Sequence, residues 1–277
     1  MREVTHQRMK GRRRFYREVS VREAPSEPGI WQILLDKHVL RTPARRPLHF
    51  DTPELAVAVA AEWDAQTSAA GIEPSTMPLM TLSATTIDQT AEDPAFVVDN
   101  CMRYLATDTI CFLAADEERI LLERQRARWG PLHDWLRQDV GLPLATSQGK
   151  GLLQRPEHPA AAAERCREVL EAMDPWALTA VQSVTMECKS VGIALALALR
   201  QIDVDEAFEA ARIEEEFNIE VWGLVEGGHD LDQSFARVQL TAASTLFWLR
   251  GGVRGLPEGL VAAGDVGVLR WKGAVPS

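Results

Sequence analysis

The chain has 277 residues, of which 46% are hydrophobic and 25% charged, and it carries a net charge of −10. This suits a soluble globular protein of one large or two modest domains. An acidic chain argues against nucleic acid as the main ligand, and the longest apolar run, 191–199, is far too short to span a bilayer.

The first 17 residues hold seven basic side chains against one acid, so the rest of the chain carries −16. The bland reading of that arm is a solvated tail. Its arginines resemble those of a transit peptide. However, the folded pattern begins near Arg13, which leaves less than the roughly 15–30 residues of a typical presequence. A bacterial cytoplasmic protein is the simpler expectation, or a mitochondrial matrix one if the source is eukaryotic.

Short strands are predicted over 13–50. Phe15, Val19 and Val21 mark the first, 30–35 the second, and 38–40 a third after the Asp36-Lys37 turn. Pro25, Pro28, Pro43 and Pro47 exclude helix there. Asp51-Thr52-Pro53-Glu54 starts a helix with Leu55, Val59 and Trp63 on one face. Residues 71–78 read as loop. Asp93-Pro94 opens another helix, which runs into a predicted strand at 107–113.

Beyond that point only helices are expected. Residues 117–140 are helical with a bend at Gly130-Pro131, and 141–159 is a linker. Four helices follow, at about 160–173, 175–200, 203–226 and 231–250, the last stopped by Gly251-Gly252. The architecture is α+β: a mixed N-terminal domain over 13–145 with short strands and helices, then an all-helical domain over 155–252. Loosely ordered tails are expected at 1–12 and 253–277.

Within the third of those helices lies Glu214-Glu215-Glu216. At 100° per residue, Glu215 falls in the middle of the main apolar stripe, with Val204 and Trp222. Glu214 falls between two stripes. Glu216 joins Arg212, Asp205, Glu209 and Glu220 on the solvent arc. A buried carboxylate needs a cation, donors, a metal or another protein.

Candidate chemistry is thin. Glu226-Gly-Gly-His229 has the E-x-x-H spacing of di-iron bundles, and Glu214, Glu215 and Glu187 lie on nearby helices. A metal-dependent helical enzyme using Glu214, Glu215, Glu226 and His229 is therefore the alternative function. Such a site needs two E-x-x-H motifs, and only one is present. The plainer reading makes His229-Asp230 the start of the next helix. Gly149-Lys150 fails as a phosphate loop, and Ser147 to Lys150 lacks the companion hydrolase motifs. Four cysteines, 101, 111, 166 and 188, have no metal-type spacing and read as buried thiols of a reducing compartment.

Several segments taken in order resemble one family. They are Arg13-Arg14-Phe15-Tyr16, Glu62-Trp63-Asp64, and Thr107-Asp108-Thr109-Ile110-Cys111. Then come Trp129 through Trp135, Trp176-Ala177-Leu178, Glu214-Glu215-Glu216-Phe217 with Trp222-Gly223 and His229-Asp230, and Ala242 through Phe247. The set is similar to the ATP synthase assembly chaperones that bind the alpha subunit of the soluble catalytic head. The resemblance covers 13 to about 250. It implies a protein client, the ATP synthase alpha subunit, held until the beta subunit replaces the chaperone. It implies no catalysis and no nucleotide cofactor; no metal, no nucleic acid partner and no stable membrane insertion are expected either, and the free protein is expected to be a monomer. Glu214 and Trp63 match functionally important positions of the family, and Glu215 and Trp222 are further candidates. Glu214 either meets the client, shapes its groove, or pairs internally with an arginine.

Overall fold

The fold is described from a computed structural model, covering residues 12–67, 71–147, 155–223, 229–257 and 260. Four short strands form one antiparallel sheet: β1 (Val19–Ala24), β2 (Glu27–Leu35), β3 (His38–Val39) and β4 (His49–Phe50). β2 is the hub. It pairs with β1 in a hairpin that sets Val19 opposite Leu35, and with both β3 and β4. Phe15 lies outside β1 and is exposed, unlike its sequence reading.

Helix α1 (Pro53–Asp64) packs on this sheet. Proline opens it as expected, but Thr52 gives no side-chain cap. Asp51 is engaged elsewhere. Arg250, nearly buried at the far end of the chain, donates to Asp51 at 2.6 Å and to both oxygens of Asp174 at 2.9 Å, and Arg254 adds a bond to Asp51. Burial alone would raise the Asp51 carboxyl, but the two guanidinium groups hold it below its ordinary range. One arginine thereby ties the starts of two helices to the end of a third.

The segment expected as loop at 71–78 holds a short 3-10 turn at Pro74–Thr76. It leads into α2 (Pro78–Thr85), which no sequence signal had separated, and α2 widens into a π turn over Thr86–Thr90. α3 (Pro94–Leu105) starts where the Asp93 carboxylate accepts the Phe96 N–H at 3.0 Å. α4 (Arg119–Trp135) runs through Pro131 without ending there. Trp129 and Leu132 on either side are buried, and the Trp129 indole donates to the Ala210 carbonyl at 2.8 Å. Tertiary packing thus holds the helix across the proline, and a π turn over Leu136–Val140 then ends at Gly141, whose φ is 75°.

The remaining helices are α5 (Ala160–Ala172), α6 (Pro175–Cys188), α7 (Val191–Ala198), α8 (Val204–Trp222) and α9 (His229–Leu249). The predicted 175–200 helix is therefore two. Lys189 adopts a left-handed backbone, φ 52°, and the Ser190 side chain caps the new start by accepting the Ile193 N–H. Every residue of α7 is buried.

A buried helix start exposes N–H groups that water cannot reach. Here the 107–113 segment, predicted as a strand, supplies the partner. It forms a 3-10 turn at Thr109–Cys111 rather than a strand, because its hydrogen bonds go to the α6–α7 junction. The Thr109 N–H donates to the Lys189 carbonyl, its hydroxyl to the Cys188 carbonyl, and the fully buried Asp108 carboxylate accepts the Gly192 N–H at 3.0 Å. Burial pushes Asp108 up, and bonds from Ser190, Gly192, Ile110 and Val191 pull it back. Gly192 is fixed by the same approach: a Cβ there would sit 2.6 Å from Ile110 Cδ1.

Asp108→Ala leaves that helix start without its acceptor and lowers folding stability by about 3 kcal/mol. Gly192→Ala costs about 1–3 kcal/mol through overpacking. Urea unfolding followed by circular dichroism measures both. An unchanged midpoint for Asp108→Ala would contradict this account of the junction.

Candidate functional site

Helix α8 begins with a full capping box. The Asp203 side chain accepts the Glu206 N–H, and the Glu206 side chain accepts the Asp203 N–H. Its first half buries Ala207, Phe208, Ala210 and Arg212, and no residue from 213 onward is fully buried. Arginines flank it. From α4, Arg124 grips Glu220 through two bonds of 2.9 and 2.8 Å, and Arg128 pairs with Glu209. From α9, Arg237 pairs with Asp205 and stacks over Phe208.

Arg212 departs from the helical-wheel reading. It was expected on the solvent arc, and it is buried. Its guanidinium donates to Glu215 at 2.6 Å and to Glu216 at 3.3 Å, and Gln233 of α9 also reaches Glu216 at 3.3 Å. Pairs at i,i+3 and i,i+4 meet on one helix face. Glu216 therefore turns toward Arg212 and α9 rather than simply into solvent.

Glu214 has a different partner. Its carboxylate accepts the Gln125 side-chain N–H at 2.8 Å. The internal arginine considered for it is absent among the described residues. Gln125 is fully buried, and its carbonyl accepts the Ala114 N–H at 2.7 Å. Glu214 is thus the outer end of a relay that reaches the backbone after the Thr109–Cys111 turn. Burial pushes Glu214 up, the Gln125 bond pulls it down, and the nearby Glu118 charge adds to the rise. Gln125 carried no sequence signal, since its role depends on a partner 89 residues away.

The two tryptophans separate. Trp63 is fully buried, and its carbonyl accepts the Tyr16 hydroxyl at 2.6 Å. Its neighbours are also bound. Arg14 donates to the Asp64 carbonyl and carboxylate, while Glu62 accepts the Leu79 and Met80 N–H groups at the start of α2. The Glu62-Trp63-Asp64 segment is thus a knot between the N-terminal residues, α1 and α2. Trp222, by contrast, is 83% exposed at the end of α8, with Val221 beside it also exposed. The apolar stripe on which it was placed runs past the elements that cover α8.

Among the described residues no three His, Cys, Asp or Glu side chains group as metal ligands. Glu226 and the His229 side chain lie outside the described residues, while α9 does begin at His229. Glu214 and Glu215 turn to separate partners rather than converging. All four cysteines are buried free thiols, and burial pushes each of them up. No helix among the described residues is long and apolar enough to cross a membrane.

A profile of the family described as ATP12 chaperone protein matches residues 13–137. The crystal structure of Atp12 from Paracoccus denitrificans is 30% identical. It aligns with 86% of this chain and 98% of its own, at a TM-score of 0.76. The mitochondrial protein atp12 of Schizosaccharomyces pombe is 24% identical over 241 residues, 84% of this chain and 81% of its own. Mitochondrial ATP12 of Saccharomyces cerevisiae is 25% identical over 283 residues, 88% of this chain and 86% of its own.

Burial also pushes the Glu62 carboxyl up, to about 7, against the pull of its two N–H bonds. The folded state therefore binds this proton more tightly than the unfolded state does, so stability falls as pH rises between about 4.5 and 7. The contribution is on the order of 3 kcal/mol. Denaturant midpoints taken across that window are expected to decline in the wild type and to decline less in Glu62→Gln. Equal slopes would rule out Glu62 as the source.

Proposed function

From the premise that this chain belongs to the ATP12 chaperone family, which acts in ATP synthase assembly, we propose that its client is the unassembled alpha subunit of the soluble catalytic head. The chaperone covers an apolar interface of that subunit until the beta subunit takes its place. An unassembled ring subunit exposes such a surface and aggregates through it. The protein acts as a monomer when free, without catalysis. It works where the head is built, in the bacterial cytoplasm or, in a eukaryote, the mitochondrial matrix.

The observation that carries this reading is Trp222. An indole left 83% exposed at a helix end, next to exposed Val221, contributes little to folding and suits a partner. Glu214 is then a positioning residue. Its bond to Gln125 sets the height of α8 against the segment after Thr109–Cys111, and so the aim of Trp222. Glu215 keeps the buried Arg212 neutralised, and Trp63 supports the fold from within the core against Tyr16.

Co-expression with the alpha subunit is expected to give a complex and to suppress alpha-subunit aggregation. Trp222→Ala is expected to weaken the complex by about 30-fold with unchanged thermal melting, the size of a truncated aromatic anchor. Glu214→Gln retains an acceptor for Gln125 and is expected to keep client binding. A Glu214→Gln protein that folds normally but loses the client would assign Glu214 a direct contact instead.

A further inference from the structure

Helix α9 carries one apolar face along its whole length. At 100° per residue, Leu231, Phe235, Val238, Ala242, Leu246 and Leu249 fall within an arc of about 80°. The C-terminal part of this face is covered: Ala242 and Leu246 are buried, and α9 packs against α6, α2 and α1. The N-terminal two turns are bare. Leu231 is 70% exposed, Phe235 56% and Val238 41%. The same stripe is thus core at one end and surface at the other, and among the described residues nothing covers the second part. Gln233 and Arg237, on the flank of α9, are already committed to α8.

The opposite flank is acidic. Glu187, half-buried at the end of α6, lies near enough to Asp232 in the first turn of α9 for the two charges to repel. Neither carboxylate has a hydrogen bond or an ion pair among the described residues. Arg212 and Lys189 lie near enough to favour the Glu187 charge, but Arg212 is bound to Glu215 and Glu216. Burial and the Asp232 charge together push Glu187 up. Met186, next in sequence to Glu187, is also exposed.

We infer that the bare two turns of α9, edged by Glu187 and Asp232, form a docking face for a client segment with an apolar centre and an arginine or lysine at its rim. Charge decides among occupants. Anionic lipid and nucleic acid would be repelled by the unpaired carboxylates. In a two-fold pairing of identical chains the same patch meets itself, which brings four uncompensated carboxylates into one interface. A basic-edged protein surface relieves their repulsion while its apolar centre covers Leu231, Phe235 and Val238. This inference rests on the proposed alpha-subunit client and names the face that takes it.

The test uses the full chain and the isolated alpha subunit, scoring complex affinity and suppression of light scattering on dilution of the client. Leu231→Ser with Phe235→Ser is expected to weaken the complex at least 30-fold. Glu187→Gln with Asp232→Asn is expected to weaken it about tenfold at low salt and to flatten its salt dependence, with thermal melting unchanged. If the wild type binds and both double variants bind equally well, the face is wrong while the client reading stands. If the wild type itself fails to bind, both fall together. Should the serine variant not fold, the charge-neutral pair decides alone, and unaltered salt dependence in it overturns the assignment. A wild-type dimer abolished by the serine substitutions, with client binding intact, would make this a self-association surface and also overturn it.

Discussion

A carboxylate with no access to water holds the centre of this molecule. Helix α7 is buried along its full length, so the N–H groups at its start must find acceptors inside the protein. Ser190 supplies one and Asp108 supplies another from a segment 84 residues earlier. Once Asp108 is fixed, Thr109 is bound to the α6–α7 junction, and the chain after it is held by Ser147 and Gln125. Gln125 then meets Glu214. A hydrogen-bond chain therefore runs from the core helix to the acidic helix, and its members cannot be removed singly without leaving a buried polar group unpaired.

Arginine organises the outer layer. Arg250 joins the starts of α1 and α6 to the end of α9. Arg124, Arg128 and Arg237 fasten α8 between α4 and α9. The latter three pairs are solvent-exposed and individually weak. The Arg250 cluster is different, because the guanidinium is nearly buried and bonded to two carboxylates. It anchors the C-terminal end of α9 and leaves the other end, with the tip of α8, to project its apolar side chains.

The acidic triplet shows how far helical periodicity reaches. Spacing alone separates Glu214 from its neighbours as the acid between two apolar stripes, and Glu214 bonds Gln125 of α4 while Glu216 meets Gln233 of α9. The same geometry misplaces Arg212 and Trp222. Arg212 is drawn inward because Glu215 and Glu216, three and four residues on, neutralise it. Trp222 lies on an apolar stripe yet stands in solvent, because a wheel counts angles and does not know where the covering helices stop. Trp63, marked by the resemblance, is buried against Tyr16, which makes it part of the core.

By itself the sequence determined the α+β class and most helix starts. The starts near 94, 175 and 203 rest on contacts of Asp93, Asp174 and Asp203 within three residues, and such contacts form wherever the chain goes. It also carried the family, through motifs whose order survives along the chain. Tertiary structure alone decided that 107–113 is a turn and not a strand, that one long helix breaks at Lys189, and which acids meet which bases. Those outcomes rest on partners such as Arg250 and Asp51, 199 residues apart. Local propensity cannot choose between a ladder and a junction as the place for buried N–H groups. Only packing, which removes water from some donors and brings acceptors to them, makes that choice.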